Sequence, residues 1–295
     1  WANYNPLTHI LSNRRIASRE VASSRREVRD RAMLNSFQSN DETLLRALES
    51  RGPMNMERAL QVMDLHGLDG LVVGAPDNVF HMTGHWPQIA RTRNGQPPGT
   101  FALLTRQNIE QIGLVTSSFL YFYTWSDGRN RSDVQAWLYN GLGDEGDFSP
   151  APRFEFCADQ QAEPLSTVES HRRTALDAGL AQRQSFNDAG AALVRAMQDM
   201  GLWKGRIGFD DPVIHEVAQR HEIPGDLVQA NNILREIRLI KSPLEIALMG
   251  RAAEANVLAL NAVGAAVRAG ATHRDLQGLY LAETAARGNK AVFLN

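Results

Sequence analysis

The chain has 295 residues, a mass of 32.7 kDa and 43% hydrophobic residues, which is enough for about two globular domains. Its formal net charge of −2 provides no field for a polyanion, so we expect no nucleic-acid partner. The single cysteine, Cys157, cannot form an internal disulfide and the opening residues do not resemble a signal peptide, so we expect a cytoplasmic protein. The longest apolar cluster, residues 119–125, is too short for a bilayer and rich in strand-favouring residues, so we expect no membrane partner.

Residues 1–51 are polar and rich in arginine. The stretch 14–31 carries seven arginines against three acidic residues and shows no clean apolar face. It predicts a solvated or disordered extension, and a basic helical arm that touches a partner is the alternative.

Residues 52–232 alternate between helical and strand periodicity, which predicts an α/β domain. The predicted helices are residues 56–65, 76–82, 186–200 and 212–221, and the predicted strands are residues 69–73, 101–105, 111–115 and 205–210. A polar turn joins the second and third strands, so we expect an antiparallel pair and a mixed sheet. Residues 126–164 are rich in glycine, proline, aspartate and serine, which predicts loops around one strand at 153–157.

A domain boundary is predicted in residues 233–242. Ser242, Pro243 and Glu245 form a capping-box pattern with proline at the first helical position, which marks the start of a long helix. The predictions after it are helices over residues 243–269 and 272–286, stopped by Gly270 and Gly288, and a strand over residues 291–294. Residues 233–295 are therefore expected to be a linker and the start of a second domain.

Two segments resemble a known family. Residues 238–246 (RLIKSPLEI), followed by Met249 and by residues 270–276 (GATHRDL), resemble the entry into the pita-bread catalytic domain of the aminopeptidase P, prolidase and creatinase family, M24. Upstream, residues 67–73 (GLDGLVV) and 77–84 (DNVFHMTG) resemble the amino-terminal domain of that family. The resemblance covers roughly residues 54–295. It implies a mixed-sheet α/β creatinase-type amino-terminal domain, followed by the first helices of an incomplete α+β pita-bread domain.

The resemblance also implies a chemistry. In this family two aspartates, a histidine and two glutamates hold two divalent metal ions, Mn, Co or Zn, which activate water. By the order of the family's motifs these ligands would follow Asn295, so we expect no metal ligand and no catalytic residue in this chain, and no activity from it alone. The expected parent is a soluble Xaa-Pro peptidase-like metallohydrolase, in which this part forms a homodimer and covers the active site, restricting it to small molecules or short peptides.

The loop after Gly84 holds the candidates for substrate contact. His85, Trp86, Arg91 and Arg93 lie in a stretch with the glycine and proline content of a mobile connection. An arginine there could pair with a substrate carboxylate, in the same chain or in its partner. Surface arginines and loop tryptophans without any ligand are the alternative reading.

Other readings remain open at this point. A creatinase-like amidinohydrolase or a lyase of the same fold would differ in residues after Asn295, and a non-catalytic protein-binding module is a third alternative. His81 and His85 are four residues apart, but Gly84 is expected to end the helix between them, so we do not expect a zinc site. Asp210 and Asp211 could suggest a metal pair, but the proline and helix that follow favour capping.

Overall fold

A computed structural model describes residues 41–87, 99–125, 131, 133–140, 165–182 and 185–289 of the chain. These residues divide into two compact units. The larger unit is Arg46–Ser242, and the smaller contains residues 41–45 and 243–289. The division falls at Ser242, the last residue of the segment 233–242 in which a boundary was predicted. The predicted strands 153–157 and 291–294 and most of the predicted extension lie outside the described residues.

The larger unit is built on a six-stranded mixed sheet, with the order β4-β3-β2-β1-β5-β6. The strands are β1 (Gly70–Val73), β2 (Phe101–Thr105), β3 (Asn108–Ser117), β4 (Val134–Tyr139), β5 (Arg206–Phe209) and β6 (Asp226–Gln229). The β1–β2 and β2–β3 pairs are antiparallel, and the other pairs are parallel. The predicted mixed α/β architecture and the predicted antiparallel pair are confirmed.

Nine α-helices of eight or more residues precede, connect and follow these strands in the described residues. They are α1 (Asp41–Ser50), α2 (Met56–Leu65), α3 (Pro76–Thr83), α4 (Thr167–Gln182), α5 (Ala189–Asp199), α6 (Pro212–Arg220), α7 (Asn231–Arg238), α8 (Pro243–Ala266) and α9 (His273–Ala286). Local sequence explains several boundaries. The side chain of Asn55 accepts a hydrogen bond of 3.1 Å from Arg58 N and begins α2, and Gly67 follows the helix with a φ of +61°.

Both faces of the sheet are covered by helices. Along β1, Leu71 and Val73 belong to one apolar cluster while Val72 belongs to the other, because successive side chains of a strand point to opposite faces. The first cluster includes buried residues of α2, α3 and α7, and the second includes those of α5 and α6. Each fully buried aliphatic side chain contributes about 1.5–3 kcal/mol, so these two layers hold the unit together.

Five elements were not predicted. Helix α1 lies in the stretch 1–51 that we expected to be a solvated or disordered extension, although its Leu44 is buried. Strand β4 lies in the glycine- and serine-rich stretch that we expected to be loops, yet its Trp137 is fully buried. Helix α4 and strand β6 have weak apolar patterns. Helix α7 lies in a segment largely expected to be a linker, but Ile233, Leu234 and Ile237 are buried in the core, so most of that segment belongs to the larger unit.

Residues 118–125 also differ from their strand-favouring composition. They form a helical turn, Ser118–Leu120, followed by a π-helix, Tyr121–Trp125. The hydroxyl of Ser117 accepts a hydrogen bond of 3.1 Å from Leu120 N, which starts the turn where β3 ends. The tertiary position, between β3 and α4, overrides the β-propensity of the aromatic residues.

The smaller unit pairs α8 with α9. Helix α8 starts at Pro243 as predicted, and the predicted capping pattern of α9 is confirmed, since Thr272 and Asp275 form a reciprocal capping box. Ala255 and Ala259 are fully buried on α8, and the hydroxyl of Tyr280 donates a hydrogen bond of 2.6 Å to Asn256 Oδ1. Small residues let two helices approach closely, as the alanine spacing predicts.

The other side of α8 is apolar and exposed. Four large side chains recur there and are 44–58% exposed: Ile246, Met249, Val257 and Leu260. By length and composition alone, α8 is long and apolar enough to cross a membrane, a property that we did not predict. One such helix is weak evidence for a membrane, and Arg251 near its middle would cost about 2.5–3.5 kcal/mol in a bilayer centre.

Candidate functional site

The described part of the candidate site is the end of α3 and the residues after it. Helix α3 begins with proline at its first position and ends at Gly84, which has a φ of +75° and donates its N–H to Phe80 O at 2.7 Å. Glycine is needed at this position because it adopts the left-handed conformation, and because a Cβ would lie 3.0 Å from Leu48 O. The chain is thereby turned out of the helix at a fixed point.

Thr83 holds the backbone on both sides of Gly84. Its hydroxyl donates a hydrogen bond of 2.7 Å to Val79 O and accepts one of 3.0 Å from His85 N. Thr83 is fully buried, so both interactions are shielded from water. The position of the His85 backbone follows directly from the last turn of α3.

Arg131 supports the same turn from the connection before β4. Its guanidinium donates a hydrogen bond to Thr83 O and forms a two-point contact with the carboxylate of Asp133, including a bond of 2.8 Å from Nε to Oδ1. Only 2% of the Arg131 side chain is exposed. A cation at a helix C-terminus is favourable, and its carboxylate partner offsets the cost of burial.

The structure describes two of the four candidate residues. His85 is only 5% exposed, whereas Trp86 is 52% exposed and its ring makes an edge contact with Phe80 at a centroid distance of 6.2 Å. Of these two side chains, only that of Trp86 is open to solvent. Arg91 and Arg93 lie outside the described residues.

A buried carboxylate lies at the carboxyl end of β5. Asp210 accepts hydrogen bonds from Gly74 N at 2.7 Å and from Asn78 Nδ2 at 2.6 Å, and it is 8% exposed. Burial raises the pKa of Asp210 above its ordinary value, although the hydrogen bonds from Gly74 and Asn78 act in the opposite direction. Asp210 thus joins the start of α3 to the end of β5.

Asp211 has the capping role that the sequence favours. Its Oδ1 accepts a hydrogen bond of 2.9 Å from Val213 N and begins α6. Asp210 does not cap this helix, so the two neighbouring carboxylates act on different elements. Among the residues that the structure describes, no group of three or more histidine, cysteine or acidic side chains is placed to hold a metal ion. His81 and His85 are both buried, and Gly84 ends the helix between them.

Arg131 and Asn78 could not be identified as site residues from the sequence. Arg131 lies in a stretch that we expected to be loops, and its burial depends on Thr83, which is far away in the chain. Asn78 occurs in the segment 77–84 that resembles the family, but its bonds to Asp210 and Arg238 are tertiary. The one signal for Asn78 was its place in that resemblance.

Comparison with known proteins gives matches among solved structures. No family model matches the chain, and no curated protein matches it. It is similar to an Xaa-Pro dipeptidase from Bacillus anthracis (12% identity, TM-score 0.46, 79% of this chain and 48% of that one). It is also similar to a prolidase from Pyrococcus horikoshii OT3 (14% identity, TM-score 0.43, 78% of this chain and 48% of that one). A third similar structure is an X-Pro aminopeptidase from Thermotoga maritima MSB8 (14% identity, TM-score 0.44, 79% of this chain and 49% of that one). The chain spans about half the length of these structures.

Proposed function

We propose that this chain is the amino-terminal part of a soluble Xaa-Pro peptidase-like metallohydrolase, of aminopeptidase P or prolidase type. The observation that carries the proposal is the position of residues 238–246, the segment that most resembles the family. It spans the last residue of α7, the connection, and the first turn of α8, where the larger unit ends at Ser242. A motif for entry into a second domain thus coincides with a boundary between two compact units.

The exposed face of α8 supports the same proposal. Its apolar side chains include Val257 and Leu260, which are 56% and 58% exposed, while the opposite side carries the buried alanines. A large apolar surface on a helix is favourable only when another surface covers it. In the proposed parent, the rest of the catalytic domain packs there.

The catalytic metals belong to that further domain. In the family that the motifs resemble, two divalent ions supply an activated water and stabilise the tetrahedral intermediate. The role of this chain is to form a homodimer and to cover the active site of its own or its partner's catalytic domain. Trp86 would contact the substrate, and Arg91 or Arg93 would pair with its carboxylate. His85 is the fourth candidate, although its side chain is buried.

The coding sequence after residue 295 tests the proposal. Two closely spaced aspartates followed by a histidine and two glutamates support a metallopeptidase, and a following domain that lacks them contradicts it. Metal analysis of the purified 295-residue chain is an independent test. We expect no stoichiometric manganese, cobalt or zinc, and tight binding of one of these ions by this chain would show that its ligands had been misplaced.

A further inference from the structure

The segment that joins the two units, Leu239–Ser242, is short and has exposed apolar side chains. Leu239 is 73% exposed and Ile240 is 50% exposed. Exposure of this kind is common in flexible linkers. Each of its four residues nevertheless forms a hydrogen bond, through the backbone or the side chain, to another part of the larger unit.

Hydrogen bonds at its two ends connect it to two different parts of the larger unit. At the start, Arg238 donates hydrogen bonds to Asn78 Oδ1 and, at 3.3 Å, to Asp77 Oδ2, both in the first turn of α3. At the other end, the hydroxyl of Ser242 donates a hydrogen bond of 2.6 Å to Pro53 O, just before α2, and Ser242 is buried. A buried bond of this length is shielded from competition by water.

The middle of the segment is held as well. Asn55 Nδ2 donates a hydrogen bond of 3.2 Å to Ile240 O, while Oδ1 of the same side chain caps α2. Lys241 Nζ donates one of 2.5 Å to Arg238 O. The amide of Leu239 still bonds to Arg235 O at 3.1 Å, so the last turn of α7 continues into the segment.

The hydrogen bonds of Arg238 are connected to the sheet through Asn78. This side chain accepts from Arg238 and donates to Asp210, which in turn accepts from Gly74 N at the end of β1. Arg238 is thus connected by three consecutive polar contacts to the ends of β5 and β1. Such a network resists displacement more than a single surface hydrogen bond does.

We propose that Leu239–Ser242 is a fixed strap and not a hinge. Its backbone is part of the larger unit, and its position in that unit is set by Asn55, Asn78 and Arg238. Its use rests on the proposed function: the chain would leave the covering unit from a fixed point. The rigidity itself is independent of catalysis.

Amide hydrogen exchange in the 295-residue chain tests this inference. The substitution Asn55→Asp is well matched, because aspartate keeps the oxygen that caps α2 but removes the donor to Ile240 O. We expect the Leu239 and Ile240 amides to exchange about five to ten times faster in this variant, the effect of losing one hydrogen bond, while the α2 amides stay unchanged. Arg238→Gln should have the same effect, and Arg235→Gln, which removes only an exposed contact to Asn232, should have none.

Two results would contradict the proposal that Leu239–Ser242 is held in a fixed position. One is exchange at Leu239 and Ile240 in the unsubstituted chain as fast as in an unstructured peptide. The other is unchanged exchange in both Asn55→Asp and Arg238→Gln. If Asn55→Asp also loosens α2, then Arg238→Gln decides alone. None of these measurements involves metal or peptide hydrolysis, so a failed strap and a failed assignment of function are distinguishable.

Discussion

The side-chain amide of Asn78 donates a hydrogen bond of 2.6 Å to the buried carboxylate of Asp210. The contact joins the first turn of α3 to the end of β5, and Gly74 N adds a second donor to the same carboxylate. Asn78 also accepts from Arg238 at the end of α7. One buried acid therefore holds together the start of the candidate site and the exit from the larger unit.

Replacing this acid should change both stability and its pH dependence. Asp210→Asn leaves a backbone or amide donor without its acceptor, so we expect it to lower the free energy of unfolding by about 1–3 kcal/mol. Because burial raises the native pKa of Asp210, the folded chain holds this proton more tightly than the unfolded chain. The stability contributed by this tightly held proton is therefore fully present below the unfolded pKa and is lost as the pH rises through the native pKa.

Urea unfolding of both chains between about pH 4 and 6 measures this difference. The stability of the original chain relative to Asp210→Asn should decrease as the pH rises in this window. Asp188→Asn is a useful control, because Asp188 caps α5 and asparagine is an equally good cap. A relative stability that increases with pH would show that hydrogen bonding outweighs burial at Asp210.

Gly84 should tolerate a side chain less well than Gly67. Both have positive φ, at +75° and +61°, but a Cβ on Gly84 meets Leu48 O at 3.0 Å whereas a Cβ on Gly67 has no neighbour within 4 Å. The left-handed conformation alone costs about 1–2 kcal/mol for alanine. We expect Gly67→Ala to lose about this amount in chemical denaturation and Gly84→Ala to lose more. Equal losses would mean that crowding at the end of α3 does not contribute to the change in unfolding free energy.

Substitution of Trp137 should lower the stability of the chain, whereas substitution of Trp86 should affect substrate binding. Trp137 is fully buried and its Nε1 donates a hydrogen bond of 3.0 Å to Asp199, so Trp137→Ala should cost about 3–5 kcal/mol of unfolding free energy. Trp86 is half exposed, and Trp86→Ala should change stability by no more than about 0.5 kcal/mol. In the enzyme proposed as the parent of this chain, we expect Trp86→Ala to raise KM severalfold with little change in kcat. An unchanged KM would remove Trp86 from the substrate contacts.

The exposed face of α8 should make the isolated chain self-associate. Val257 and Leu260 are more than half exposed, and contiguous apolar surface of this kind promotes association. Lysine at both positions should lower the apparent mass in sedimentation at high protein concentration without changing the unfolding midpoint. Lysine at the exposed polar residue Asn261 is the control. A chain that stays monomeric without any substitution contradicts this expectation.

Much of the fold was predictable because local signals agreed with tertiary packing. Gly67 and Gly84 mark helix ends by chemistry that acts over a few residues, and the apolar runs around β1 and β2 needed no further context. Strand β4 was missed because its neighbours have loop composition, although Trp137 packs in the core. Helix α7 was missed because most of its residues were assigned to a linker between two domains.

The candidate site was less predictable, for a physical reason. The sequence singles out His85 and Trp86 alike, but only packing determines that one is buried and the other exposed. Arginine is usually a surface residue. The role of Arg131 in supporting the end of α3 depends on its hydrogen bond to the carbonyl of Thr83, many residues earlier. Contacts between distant segments leave no periodic trace in the sequence.

Analysis of the native protein tests the central claim most directly. Antibodies against this chain would purify it from its source, and its mass, metal content and hydrolysis of an Xaa-Pro dipeptide would be measured with and without a chelator. The proposed function predicts a polypeptide longer than this chain, two divalent ions per polypeptide, and hydrolysis that the chelator abolishes. A native protein that ends at Asn295, or a longer one that hydrolyses no Xaa-Pro bond when loaded with metal, would contradict it.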